Sequence, residues 1–295
     1  MSILVTGANG EIGFDLVKRF SQKNKVFAIF RTKNYRIRKI KNVKWIKWDL
    51  KKKIEIKFTT PIKYIVHCAI DQKYLGSDKN KYLRGNTDII KNVISFAKKN
   101  DVDFIMNLSS VDVYGDLKIK SVTEGYLPIK KNMYANLKYL SEKELFKQKI
   151  NFINLRLPGT LCDRINLNVL RPWLFKTTYN IYKNNQILVK NTQNKFNNVI
   201  RTLDIVNFFY FIIKKKIVVR DTYNFSAIQP IKLNSILDMI KKKLNSNTKV
   251  IELIDKKKSS FLISNTKIKS KLKYRLPTTK LVIKSFLQNF NDQVC

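Results

Sequence analysis

Acidic residues are scarce in this sequence: 21 Asp and Glu stand against 59 Lys and Arg over 295 residues, a formal charge of +38. Glycine and proline number only 8 and 6, which excludes collagen-like and low-complexity chains. Histidine occurs once, as His67, and cysteine three times, as Cys68, Cys162 and Cys295, with no CxxC spacing. Neither a disulfide framework nor a zinc site is therefore expected, and no metal is called for. Long hydrophobic runs are also missing. The most apolar stretch, Ile205 to Ile213, is broken by Asn207 and runs into three lysines, well short of the roughly 20 residues that cross a bilayer. The first residues, MSILVTGANG, lack a basic n-region and a cleavage site, so no transmembrane segment and a cytoplasmic location are expected.

What the chain does have is enough apolar matter for a core, 44% hydrophobic and 12% aromatic residues, which argues against disorder. Its length suits one large α/β unit or two small domains. The positive charge invites a nucleic-acid reading, because clustered cations release counterions from phosphates. The cations are 48 Lys and 11 Arg, spread along the whole chain among Asn and Ile. Arg is the residue suited to bidentate phosphate recognition, so a solvated lysine surface is expected in place of a polyanion site.

Short β-rich runs alternate with helical patterns through the first half. Ile3–Thr6, Val26–Phe30, Val43–Trp48, Tyr64–Cys68, Phe104–Ser109 and Asn151–Arg156 read as strands, with helical spacing in Gly10–Ser21, Asn86–Asn100 and Met133–Lys149. Such alternation predicts a parallel sheet covered on both faces, with its ligand at the carboxyl ends of the strands. After about Pro158 the rhythm is less regular, with a strand at Asn198–Leu203 and helices near Asp204–Lys215 and Leu233–Leu244.

The first strand runs into Thr6-Gly7-Ala8-Asn9-Gly10-Glu11-Ile12-Gly13, which holds three of the eight glycines. Glycines at this spacing permit a tight turn, close backbone approach to a pyrophosphate and close helix–strand packing, at a helix N-terminus that donates N–H groups. The plainer alternative is an ordinary strand–helix turn. At the end of the second strand, where an acidic residue usually accepts the adenosine ribose hydroxyls, stand Phe30 and Arg31. Arg31, helped by Lys33, could instead pair with a 2′-phosphate, which favours NADP(H) over NAD(H); otherwise it belongs to the basic surface with Arg36 and Arg38. Asp49 could contact the adenine, or serve as a turn residue.

These landmarks resemble the extended short-chain dehydrogenase/reductases of the NAD(P)-dependent nucleotide-sugar epimerase/dehydratase family. TGANGEIG is similar to that family's TGxxGxxG, VHCA (Val66–Ala69) to its VIHLAA, NLSSVDVYG (Asn107–Gly115) to its active-site strand, and Tyr134-Ala135-Asn136-Leu137-Lys138 to its YxxxK, in the family's order over most of the chain. The resemblance implies a Rossmann-type doubly wound parallel α/β sheet over residues 1–157, joined by part of 196–215. A smaller, discontinuous α/β substrate domain takes 158–295. It places a dinucleotide against Gly7, Asn9, Gly10, Glu11, Ile12, Gly13, Arg31, Asp49, Leu50, Cys68, Ala69, Asn86, Tyr134 and Lys138. It also implies a homodimer through the YxxxK helix, which the apolar Leu137, Leu140 and Leu145 permit.

YxxxK starts at seven of the 13 tyrosines of so lysine-rich a chain, so position must choose among them. Tyr134 follows Ser110 by 24 residues and begins a helical pattern. Residues four apart share a helix face, so the Lys138 ammonium can lie near the Tyr134 hydroxyl and stabilise its phenolate. Moving a phenol from about pKa 10 to neutrality takes on the order of 4 kcal/mol. Tyr134 would then move a proton at a carbonyl or alcohol oxygen during hydride transfer. By resemblance Ser110 polarises the same oxygen and Lys138 holds the nicotinamide ribose; the alternative for Ser110 is a turn cap. Asn86 resembles a helix asparagine near the active site, or caps its helix. Thr123-Glu124 and Arg156 match residues read as structural, the latter as an ion pair, and His67 reads as core.

The resemblance is looser beyond the strand that ends in Arg156. Gly159-Thr160-Leu161-Cys162 replaces YGP, and Asn197 stands where many members carry a phosphate-binding Arg, which makes Asn197 and Asp112 the candidate substrate contacts. A 4,6-dehydratase needs an adjacent Asp-Glu pair where this chain has Val111-Asp112, so that reaction is not expected, although Asp112 could be an auxiliary acid or a turn residue. A 4-keto-sugar reductase using NADPH is the leading expectation, on Arg31. The alternatives are a nucleotide-sugar 4-epimerase with retained NAD and a non-catalytic dinucleotide-sensing or polyanion-binding protein.

Overall fold

A computed structural model describes residues 1–71, 78–117, 119–127, 129, 132–163, 173–255 and 261–294; Pro128 and Cys295 lie outside them. The chain forms two compact units, one of residues 1–115, 127–156 and 205–223 and the other of 116–126, 157–204 and 224–295. The segment returned to the first unit is 205–223, which includes 205–215 of the 196–215 stretch expected to contribute in part, and the second unit also claims 116–126.

The first unit is built on seven strands: β1 (Ser2–Thr6), β2 (Lys25–Phe30), β3 (Val43–Lys47), β4 (Tyr64–His67), β5 (Phe104–Ser110), β6 (Phe152–Leu157) and β7 (Arg220–Asn224). Their order in the sheet is β7-β6-β5-β4-β1-β2-β3. β1 pairs in parallel with β2 and β4, β2 with β3, and β4 with β5. β1 and β5 are buried at every position, the signature of a parallel sheet covered on both faces. The fold is Rossmann-like α/β. β7, at the sheet edge, reads RDTYN and offers no hydrophobic run from which it could be expected.

The helices are α1 (Glu11–Phe20), α2 (Lys79–Lys99), α3 (Met133–Phe146) and α4 (Thr202–Lys214). α1 buries Phe14, Leu16, Val17 and Phe20, and Phe20 meets Phe209 of α4 with ring centroids 4.8 Å apart. α2 buries Ile89, Ile90, Val93, Ile94 and Phe96 against Phe27, Ile65, Ile105 and Phe152 of the sheet. It starts seven residues before the expected Asn86, capped by Asp78, whose side chain accepts the Lys81 amide at 2.9 Å. The polar sequence KNKYLRG shows no apolar period, so only the cap and the tertiary packing reveal those first turns.

In the second unit, the helices Trp173–Tyr182, Leu233–Leu244 and Thr279–Val294 share a core of Leu174, Phe175, Ile236, Ile240, Val282, Phe286 and Phe290. The strand expected at Asn198–Leu203 is confined to Val199–Arg201, because Thr202 already begins α4; it pairs in parallel with Gly159–Leu161. No helix among the described residues is long and apolar enough to cross a membrane.

A buried polar layer joins β5, α3 and β6. Arg156 and Glu142, 4% and 1% exposed, form a two-pronged ion pair, with Nε to Oε1 at 3.1 Å and Nη2 to Oε2 at 2.7 Å. Ser109 donates to Glu142 Oε1, and Arg156 Nη1 donates to the Tyr114 hydroxyl at 2.9 Å. Removing one partner leaves a buried charge uncompensated. Arg156→Met is therefore expected to cost about 3–5 kcal/mol in urea denaturation followed by circular dichroism, and adding Glu142→Gln to recover part of it. Equal losses in the single and double variants would contradict this.

Candidate active site

The carboxyl end of β1 opens into the glycine loop. Gly7 has φ +64, the left-handed region, and a Cβ there would lie 2.8 Å from the Ala69 backbone that follows β4. A Cβ on Gly13 would lie 2.3 Å from the Gly7 carbonyl oxygen, so α1 can approach the loop this closely only without a side chain. Gly10 is the N-cap of α1 and provides no side-chain cap. The first-turn amides, with the positive end of the helix dipole, are thus suited to a pyrophosphate, and the residues fit the adenine dinucleotide that the glycine spacing implies. Asn9 Nδ2 donates to Thr32 O at 2.6 Å and Asn34 Nδ2 donates to Asn9 O at 3.0 Å, which stitches the loop to the segment after β2. Glu11 faces Arg36 at 3.7 Å, and Ile12 lies beside it in the first turn of α1.

Around this loop, several expected contacts have other partners. Asp49 Oδ1 accepts the Lys51 amide at 3.0 Å, an Asx turn, and the carbonyl of buried Leu50 accepts from Asn92 at 2.9 Å. Asn86 lies inside α2, not at its cap, and its Oδ1 accepts the Asp71 amide at 2.8 Å. Arg31 is not a free cation: its Nη1 and Nη2 lie 2.8 and 3.2 Å from the two carboxylate oxygens of Asp71, which Lys51 also reaches at 2.9 Å. These cations hold the Asp71 carboxyl down at about 2. Nothing in the sequence pointed to Asp71, which stands 40 residues from Arg31 in no motif.

Beside the loop, β5 ends in Ser110, and α3 brings Tyr134 and Lys138 to it. Asn132 starts α3 by accepting the Ala135 amide at 2.8 Å. Tyr134, Lys138 and Glu142 follow at four-residue steps on one helix face, a spacing that could have singled out Glu142. Ser110 Oγ accepts the Asp112 amide at 3.1 Å and keeps its own hydrogen to donate, close enough to Tyr134 to lower its hydroxyl. Lys138, 7% exposed, lies near Cys68, and Cys68 precedes the Ala69 that touches Gly7. The glycine loop and the Ser110–Tyr134–Lys138 group thus form one neighbourhood.

The electrostatics differ from the expected phenolate. Burial, reinforced by the Asp112 charge, pushes the Tyr134 hydroxyl up to about 12, against the lowering effect of the Ser110 bond. Lys138 Nζ donates to Leu108 O at 2.6 Å and lies 5.8 Å from the centroid of the Tyr134 ring, so it faces the ring and does not bond the oxygen. Burial lowers its ammonium to about 8. His67, 3% exposed, shares a hydrogen bond of 2.7 Å with Thr6 Oγ1, and burial first and Lys138 second lower it to about 3, so it stays neutral.

Asn197, in the second unit, departs from its expected substrate role. Its Nδ2 donates to Ala227 O at 3.0 Å and Ile263 O at 2.8 Å while its Oδ1 accepts the Ile263 amide at 3.0 Å. Both amide hydrogens are taken, so none remains for a phosphate. Glu124, in the same unit, accepts the Asn224 amide at 2.7 Å, a structural contact. Among the described residues no cluster of His, Cys, Asp or Glu could hold a metal.

The Lys138 shift has a stability consequence. The folded state binds this proton less tightly than the unfolded chain, at about 8 against 10.5, so the destabilising effect is fully present below pH 8 and fades as pH rises to 10.5. Wild type should therefore gain stability relative to Lys138→Met between pH 7.5 and 10, read from urea midpoints; a constant gap would refute the assignment.

Comparison with known proteins places these features in context. No match was found among curated proteins. Solved structures similar to this chain include UDP-glucose 4-epimerase with UDP-glucose from Thermotoga maritima, at 16% identity over 99% of both chains and a TM-score of 0.79. A second is UDP-N-acetylglucosamine 4-epimerase from Methanobrevibacter ruminantium in complex with UDP-N-acetylmuramic acid, at 19% identity over 99% of this chain and 98% of that one, TM-score 0.79. A third is dTDP-glucose 4,6-dehydratase from Bacillus anthracis in complex with NAD, at 16% identity over 99% and 97%, TM-score 0.77. At such identities the likeness shows the fold alone. The profile that describes the NAD dependent epimerase/dehydratase family matches residues 3–225, from the first strand through the glycine loop and the YxxxK helix, and the chain belongs to that family.

Proposed function

We propose that this protein oxidises and reduces a ring carbon of a nucleotide-linked sugar, and that its overall reaction is 4-epimerisation with a retained NAD. The observation that carries the reading is the meeting of Ser110, Tyr134 and Lys138 beside the glycine loop. Two of the similar structures hold UDP-linked ligands, which supports a nucleotide-sugar substrate.

A bound dinucleotide supplies the hydride chemistry. The chain's own residues handle the proton and the geometry. Tyr134, with its hydroxyl pushed up to about 12, is protonated at neutral pH and is ready to donate to a sugar carbonyl oxygen. Taking a proton from a sugar alcohol requires the phenolate, each unit of lowering being about 1.4 kcal/mol of added positive potential. Lys138 over the ring supplies part of that potential. Ser110 donates a hydrogen bond to the same oxygen and aligns it, and α1 holds the pyrophosphate through its first-turn amides. Asp112, whose charge opposes the phenolate, favours the proton-donating form.

The NADPH-dependent 4-keto-sugar reductase, the leading expectation from the sequence on Arg31 and on Phe30 standing where a carboxylate would select NAD, becomes the second reading. The pairing of Arg31 with Asp71 weakens that case, because the cation meant for a 2′-phosphate already faces a carboxylate. Parallel incubations, one with UDP-hexoses and NAD⁺ and one with a UDP-linked 4-keto-hexose and NADPH, separate the two. Epimerisation gives product with no net change in near-ultraviolet absorbance of the reduced nicotinamide, whereas reduction consumes one NADPH per keto-sugar. Tyr134→Phe is expected to lower kcat by about 10²–10⁴ while leaving the dinucleotide Kd within about twofold. Undiminished turnover in that variant would overturn the assignment.

A further inference from the structure

We propose that Asp71 is a specificity-determining residue: by holding Arg31, it sets the site against a dinucleotide with a 2′-phosphate and in favour of NAD. The proposal rests on the dinucleotide reading above and goes beyond it to a residue that no motif identifies.

Strand order brings Arg31 and Asp71 together. β1 lies between β2 and β4, with Thr6 in register with Ile29 on one side and His67 on the other. Arg31 directly follows β2 and Asp71 follows β4 by four residues. Their ion pair therefore spans two strand spacings, roughly 10 Å, across the carboxyl end of β1 where the glycine loop departs. Lys51, from the segment after β3, joins the same carboxylate, so three loops converge on one group.

Asp71 is held in place more firmly than Arg31. Its amide donates to Asn86 Oδ1 at 2.8 Å and its carbonyl accepts the Tyr82 hydroxyl. Its side chain is 11% exposed, against 47% for Arg31. The carboxylate is thus a fixed negative charge and Arg31 the swinging partner. A phosphate arriving at Arg31 meets that charge and must compete with it for the guanidinium. A 2′-hydroxyl is uncharged and has nothing to displace. Selection against the phosphate thus comes from repulsion in place.

The test is calorimetric titration of wild type, Asp71→Asn and Asp71→Asn/Arg31→Ala with NAD⁺ and NADP⁺, with melting curves to verify folding. The asparagine keeps the shape and the main-chain bonds but removes the charge, releasing Arg31 and Lys51 together. NADP⁺ should bind at least about tenfold tighter to Asp71→Asn than to wild type, NAD⁺ should change less than about twofold, and Arg31→Ala should abolish the gain. An unchanged ratio of the two Kd values, or equal tightening of both, overturns the role of Asp71 while leaving dinucleotide binding intact. Binding of neither dinucleotide to wild type overturns the underlying reading instead. Should Asp71→Asn fail to fold, wild type decides: a preference for NAD⁺ of at least about tenfold is expected, and equal or tighter binding of NADP⁺ overturns the proposal.

Discussion

Everything at the candidate site depends on the register between α3 and β5, and that register is held by a buried ion pair. Glu142 accepts two bonds from Arg156 of β6 and one from Ser109, the residue before Ser110. Because Glu142, Lys138 and Tyr134 lie one turn apart along α3, fixing the first against Ser109 fixes the last against Ser110. A buried pair of this kind contributes little net stability, since desolvation offsets most of the Coulomb attraction. Its value here lies in positioning: no sliding of the helix along the sheet keeps all three bonds.

Burial disfavours the charged forms of both titratable groups at the candidate site. The phenol is raised and the lysine lowered by the same desolvation, so at neutral pH the phenol stays protonated and the lysine keeps its charge by a narrower margin than an exposed one. Lys138 faces the ring and bonds the Leu108 carbonyl, so it acts on Tyr134 through space. In the proposed chemistry the protonated phenol is the resting form, and the phenolate arises only when further positive charge enters the pocket.

The surface charge of +38 has little to do with this centre. Around the site Arg31 and Lys51 share the Asp71 carboxylate and Arg156 pairs with Glu142, whereas Lys138, among the described residues, bonds only the Leu108 carbonyl. In this strongly basic chain, Asp71 and Glu142 stand where a cation is restrained.

Much was legible in the sequence because it depends on short-range rules. The glycine spacing, the strand–helix alternation and the four-residue step from Tyr134 to Lys138 are backbone periodicities, and the structure puts each in the expected element. The first turns of α2 and the edge strand β7 were not legible, since polar sequences show no period and form only where a cap or a neighbouring strand completes them. The partners of Arg31 and Asn197 were beyond reach for another reason. A side chain's role is set by whatever lies within hydrogen-bond distance, and those neighbours stand 40 residues away for Arg31 and 30 and 66 away for Asn197. The sequence by itself determined which elements form and which residues can carry the chemistry; only the tertiary structure decided which cations are already engaged, because long-range pairing is fixed by the packing of the sheet and not by any local pattern.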